Sequence, residues 1–173
     1  MDRRWAWALV PVNLALALGA IGCGAGGGVA GNATVSVYVS APLHGAEAKA
    51  GRGACAGARA ELARGGGRAG DVRVRVICLD DSGGGQRWRL AAVGADARRA
   101  AEDSTTVAYV AAIDPVAARF SRPVVEASGI AQVSGASGRL AMARVLKAIR
   151  EAGGAGQLRE TVAKALGGTR EPA

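Results

Sequence analysis

Val107–Ser137 reads VAYVAAIDPVAARFSRPVVEASGIAQVSGAS, and this stretch decides the fold. It opens on an apolar run, Val107–Ile113, as expected of a strand buried on both faces of a sheet. Asp114 followed by Pro115 then marks a helix start. A carboxylate at that place accepts from the free amides of the first turn, and proline suits the first helical position. The helix is expected to run through Ser128, with Pro123 predicting a kink or break near Ser121. Ile130–Val133 follows as a short strand. Strand, helix and strand in this order form a right-handed parallel crossover.

The same alternation extends upstream. Val35–Val39 (VSVYV) is a strand, and Ser40–Leu43 turns the chain into a helix over His44–Arg64. Ala54, Ala58 and Leu62 form an i, i+4 row on that helix, and Gly65-Gly66-Gly67 stops it. Val72–Leu79 (VRVRVICL) is the next strand, alternating with arginine at first and wholly apolar afterwards. A polar loop, Asp80–Gly85, precedes a helix over Gln86–Asp103, with Leu90, Val93 and Ala97 on one face. Four strands with a helix in each crossover predict a single α/β, Rossmann-like lobe, its parallel sheet of about four strands flanked by helices.

Downstream of Gly138 the pattern changes. Arg139–Ala152 is an amphipathic helix striped with Met142, Val145, Leu146 and Ile149. Gln157–Leu166 is another, aligned on Leu158, Val162 and Leu166, and no strand follows. The expected organisation is a targeting segment over 1–22, a tether over 23–33, the lobe over 34–137, and two C-terminal helices over 138–173 packing on the same lobe.

The first 23 residues carry Arg3 and Arg4, then an uncharged apolar run from Trp5 to Ile21, then Ala20-Ile21-Gly22-Cys23. Charge, apolar stretch and small residues in this order make a secretory signal. The cysteine directly after them fits a lipidated Cys23, with the glycine-rich segment Gly24–Gly31 as a flexible tether to the outer face of the cell membrane. A plain signal peptide or a single membrane helix is the alternative.

The 173 residues are 50% hydrophobic but only 3% aromatic, so Val, Leu, Ile and Ala must build the core. The net charge of +8 comes from scattered arginines, with no basic run interleaved with aromatics. Nucleic acid is therefore not an expected partner. Cys55 lies on the core side of its helix and Cys78 lies in a strand. They form either a disulfide or two buried thiols. There is no C-x-x-C, and His44 is the only histidine, so neither a metal nor a cofactor is expected.

Ligands of open parallel sheets bind beyond the carboxyl ends of the strands. That edge gathers Ser40 and His44, then Asp80, Asp81 and Ser82, then Asp114, and finally Ser134–Ser137. Any of them also serves as an ordinary loop or cap residue. The glycine fingerprint of dinucleotide folds, the P-loop and the G-x-S-x-G elbow are all missing. Ser40, His44 and Asp81 are the only serine, histidine and aspartate that can be put together as a relay, and Ser40 and His44 are poorly spaced for it. No enzymatic activity is expected, with a small α/β enzyme as a distant alternative.

Val35–Gly45 (VSVYVSAPLHG), Val72–Ser82 (VRVRVICLDDS) and Val107–Ser137 together resemble the amino-terminal lobe of periplasmic substrate-binding proteins of ABC transporters, of the leucine/isoleucine/valine-binding type. The Cys23 motif is similar to the lipoprotein form of that family. Gly138–Leu166 resembles helices that follow the second lobe, which this chain lacks. The resemblance implies a type I binding-protein half that captures an amino acid without covalent chemistry and delivers it to an ABC permease. It implies solute contacts at Ser134, Ala136 and Ser137, with Ser40, His44 and Asp81 at the cleft rim. Two departures stand out. Asp114–Ala118 has no hydroxyl where the family carries one, and Gly138 replaces a threonine. With these partners and the opposing lobe missing, weak or no binding of a free amino acid is expected. The other reading is a single-lobe interaction protein that pairs through its exposed cleft.

Overall fold

A computed structural model describes residues 34–111, 114–135, 137–153 and 157–167. In chain order the elements are β1 (Thr34–Ala41), α1 (Ala48–Arg64), β2 (Arg68–Ala69), β3 (Val72–Asp80), α2 (Leu90–Glu102), β4 (Thr106–Ala111), α3 (Pro115–Ala127), β5 (Ala131–Ser134), α4 (Gly138–Ala152) and α5 (Leu158–Ala165). The sheet order is β2-β3-β1-β4-β5. The four longer strands are mutually parallel, and β2 pairs antiparallel with the start of β3. The sheet therefore has five strands rather than four, because the turn after α1 adds a two-residue edge strand.

β1 and β4 fill the middle of the sheet, and every residue of β4 is buried. Alternate side chains serve two cores. Val35, Val37 and Val39 face α1, α4 and α5 together with Val74, Val110 and Val133. Tyr38, Tyr109 and Leu79 face α2 and α3, whose contacts are Ala97, Ala100, Ala118 and Val125. The first core is the richer, because α4 alone contributes Met142, Val145, Leu146 and Ile149. α4 reaches α1 closely because Gly138 has no side chain: a Cβ there would collide with the Ala54 carbonyl. Cys55 of α1 and Cys78 of β3 are joined as a disulfide, their Cα atoms 6.1 Å apart.

Several boundaries differ from the sequence reading, each for a local reason. α1 starts at Ala48, not His44. Gly45 takes a left-handed φ of 76°, and the Ala46 amide donates to the Gln86 carbonyl, tying the first residues to a distant loop. α2 starts at Leu90, not Gln86, since Arg89 is extended. Leu90 is not part of the buried face at all and is 55% exposed. α3 runs unbroken through Pro123, which sits on the exposed side, where the carbonyl it leaves without an amide can be hydrated. The Cys23 and signal readings, and Ala136, lie outside the described residues.

Candidate functional site

The strand order sets a topological switch point. The connection leaving β1 runs to one side of the sheet, toward β3. The connection leaving β4 runs to the other, toward β5. Between the carboxyl ends of β1 and β4 the chain directions diverge, and open α/β sheets bind ligands at such a point.

Asp80, the last residue of β3, organises the loop after β1. Its Oδ1 accepts from the Leu43 amide (2.7 Å) and from Ser82 Oγ (2.6 Å), and its Oδ2 accepts from His44 Nδ1 (2.7 Å). Burial alone would raise this carboxyl, but the hydrogen bonds from Ser82, Leu43 and His44 outweigh it and hold the group well below the usual range. His44 is thereby fixed at the rim with its ring largely exposed.

Asp114 caps α3, accepting from the Val116 amide (2.7 Å) and the Ala117 amide (3.2 Å). It also accepts from Trp88 Nε1 (2.7 Å). Those bonds outweigh its partial burial and lower its carboxyl. Trp88 packs on Phe120 at 6.1 Å between ring centroids, and Phe120, Leu90 and Val116 are exposed.

Ser40 and Asp81 are not at the open rim. They are 4% and 6% exposed and lie beneath α2. Ser40 Oγ is 2.8 Å from Asp96 Oδ2 and 3.4 Å from Asp81 Oδ2. Asp81 Oδ1 has no hydrogen-bond partner, and the Tyr109 hydroxyl lies against Ser40 without the geometry of a full hydrogen bond. Burial first, and then the charge of Asp96, push the Asp81 carboxyl up to about 7. Burial also lifts Asp96 to about 6 against the Ser40 hydrogen bond, and burial raises Tyr109. Ser40, His44 and Asp81 do not assemble as a relay: His44 is bonded to Asp80, and Ser40 to the two other carboxyls.

Ser134 ends β5 and Ser137 precedes α4. Ser134 Oγ accepts from Arg122 Nη2 (3.3 Å), and Ser137 Oγ caps α4 by accepting from the Leu140 amide (3.3 Å). Ser137 also borders an open cavity of about 390 Å³ between Ala50–Gly57 of α1 and the first residues of α4. Among the described residues no group of three or more His, Cys, Asp or Glu is arranged to hold a metal ion. No helix of these residues is long and apolar enough to cross a membrane.

Asp96 and Tyr109 escaped the sequence reading. Asp96 was detectable, because it falls on the buried stripe of α2 with Val93, Ala97 and Ala100, and a carboxylate on an apolar stripe signals a buried acid. Tyr109 sits in the centre of an apolar strand, where nothing in the sequence separates a buried hydroxyl from an ordinary core ring.

No protein-family model matches this chain, and no curated protein does. Solved structures do. A leucine-binding protein from Thermotoga maritima is 19% identical with a TM-score of 0.51, over 59% of this chain and 27% of that one. A solute-binding protein of an ABC transporter from R. palustris, solved in complex with 4-hydroxybenzoate, is 18% identical with a TM-score of 0.52, over 60% and 27%. The chain thus spans less than a third of the structures it resembles. At such identities the likeness establishes the fold: a single α/β lobe of the type I periplasmic-binding architecture.

Proposed function

We propose that this protein is one lobe of an extracytoplasmic receptor for a small solute, of the ABC-transporter type, with a branched-chain or related amino acid as the solute class. It would deliver that solute to an ABC permease. The observation that carries this reading is the switch point between β1 and β4 in the strand order, on a fold matching a single lobe of solute-binding proteins. Ser134, Ala136 and Ser137 are the proposed solute contacts, with His44 on the rim. Ser40 and Asp81 act from beneath it. Cys23 is proposed as the lipid attachment that keeps the lobe at the membrane's outer face. The binding is proposed as non-enzymatic, since Ser40, His44 and Asp81 do not assemble as a relay.

Two-lobed receptors enclose a solute from both sides, and enclosure supplies most of the contact. One lobe is expected to bind weakly. Isothermal titration of the full chain with leucine, isoleucine, valine and 4-hydroxybenzoate, backed by NMR shift mapping, tests this. The expected result is saturable binding in the millimolar range, with shifts at Ser134 and Ser137. A micromolar dissociation constant overturns the claim that a single lobe is insufficient. No saturable shift with any of the four overturns the receptor reading for these solutes.

A second reading, a lobe that pairs with another protein, rests on the exposed Leu90, Val116 and Phe120, the last packed on the half-buried Trp88. A defined oligomer in light scattering, abolished by Phe120→Glu, would favour it over solute capture.

A further inference from the structure

The group beneath α2 has one hydrogen too few. Ser40 lies between two carboxyls, yet a hydroxyl carries a single proton to donate. The shorter contact, 2.8 Å to Asp96 Oδ2, takes it. The other carboxyl, Asp81, then faces a Ser40 lone pair at 3.4 Å, and two acceptors facing each other repel. A proton on Asp81 resolves this: Asp81 donates to Ser40, and Ser40 donates to Asp96.

The surroundings offer no other neutralisation. The groups facing the pair are Asp80 from β3, Glu47 from the turn before α1, Tyr109 from β4, and Arg99 from α2 itself. Asp80 and Glu47 are carboxylates, and Tyr109 is a neutral hydroxyl. Arg99 is the single cation, and it acts on Asp96 rather than on Asp81. α3 directs its charges elsewhere, with Arg122 on Ser134 and Glu126. Asp81 Oδ1 and the Tyr109 hydroxyl are both buried without a full hydrogen bond, which is costly for a charged carboxylate and tolerable for a neutral acid.

We propose that the lobe holds a proton on Asp81 as a built-in switch, and that losing it at rising pH loosens α2 and the 81–89 loop from the strand tips. Asp81 is placed to transmit such a change. Its backbone carbonyl accepts from the Arg89 amide (2.8 Å) at the head of α2, while its side chain reaches, through Ser40, the middle of the same helix. α2 is also lightly anchored, since its buried residues are Val93, Ala97 and Ala100. Two ionised carboxylates facing each other across that interface would work against a small apolar contact. The preceding residue, Asp80, holds the loop that carries His44, so loosening at Asp81 reaches the strand tips around it. This inference rests on the lobe's own contacts and does not require the solute reading.

The test is the pH dependence of stability and of local opening in the full chain. The unfolding equilibrium constant of the wild-type protein should rise between about pH 4 and pH 7, by up to about tenfold per pH unit for each proton released, and then level off. α2 amides should lose protection over the same range, after correction for intrinsic exchange, while α1 amides keep theirs. Asp81→Asn, which keeps the shape and removes the ionisation, should flatten the profile and retain α2 protection at pH 8. Asp96→Asn should flatten it in part, and serves if Asp81→Asn fails to fold. A flat wild-type profile overturns the proposal. So does a slope unchanged in both variants, or loss of protection spread equally over α1 and α2.

Discussion

Two polar clusters lie on the same face of the sheet, one at each end of β1, and they are built on opposite principles. At the amino end, Ser36, Tyr38, Arg75, Asp103 and Thr105 form a closed network. Tyr38 donates to Asp103 (2.9 Å), Arg75 donates to Ser36 (2.7 Å) and to Asp103 (3.3 Å), and the Ser36 hydroxyl donates to Thr105 (2.7 Å), whose own proton goes to Asp103. The Thr105 amide and hydroxyl complete the Asp103 carboxylate. Each acceptor meets a donor, and an arginine balances the aspartate. Only the neighbouring Thr106 hydroxyl lacks a partner. At the carboxyl end, Ser40, Asp81, Asp96 and Tyr109 gather two acids and leave two polar atoms unpaired. A sheet needs its ends tied, and the amino end shows what such a tie looks like. The carboxyl end is the edge where ligands of this architecture bind, and there the pairing is incomplete.

The two ends therefore respond oppositely to pH. Burial raises Asp103, but hydrogen bonds from Thr105 and Tyr38 outweigh it and bring the group down to about 2. Its contribution to stability is full above the ordinary carboxyl range near pH 4 and is lost as pH falls toward 2. Asp81 and Asp96 are raised. Their contribution is full below about pH 4 and is lost as pH climbs through about 6 and about 7. Stability should thus peak in mildly acidic solution, between the two regimes.

The largest single loss should come from the disulfide on the opposite face of the sheet, which belongs to neither end. Reducing the Cys55–Cys78 disulfide frees a 23-residue separation, worth ~3 kcal/mol in chain entropy. Denaturation with and without reductant measures it, and the slope above pH 5 should survive reduction. Asp103→Ala comes next, at ~2 kcal/mol, because it strands Tyr38, Arg75 and Thr105. Its cost should vanish near pH 2, which a pH series of denaturant midpoints would show. Tyr38→Phe removes one satisfied hydrogen bond and should cost ~1 kcal/mol. Tyr109→Phe is the smallest and sharpest comparison. Its hydroxyl makes no full hydrogen bond, so the change should be neutral or slightly stabilising, on the order of 0.5 kcal/mol. Equal losses for the two tyrosine variants would erase the distinction between the ends.

Much of the fold was legible because it is written in periodicity. β1, β3, β4 and β5 show as β-rich apolar runs, and Asp114-Pro115 shows as a cap that the structure places on the Val116 and Ala117 amides. What escaped was tertiary. The two-residue β2 is too short to leave a pattern. The late start of α1 depends on the Ala46–Gln86 contact, which joins segments forty residues apart. The site was half legible: Ser40 and Asp81 were found by their position after strands. Their partner Asp96 comes from the middle of a helix, and only its place on the buried stripe marks it.

The most direct measurement is a ¹³C NMR titration of the aspartate side-chain carboxyls in the full chain. Asp81 should titrate near pH 7 and Asp96 near pH 6, with Asp103 remaining ionised down to about pH 2. Midpoints for Asp81 and Asp96 near the ordinary value of about 4 would mean that the strand tips hold no proton, and that the two ends of the sheet are built alike.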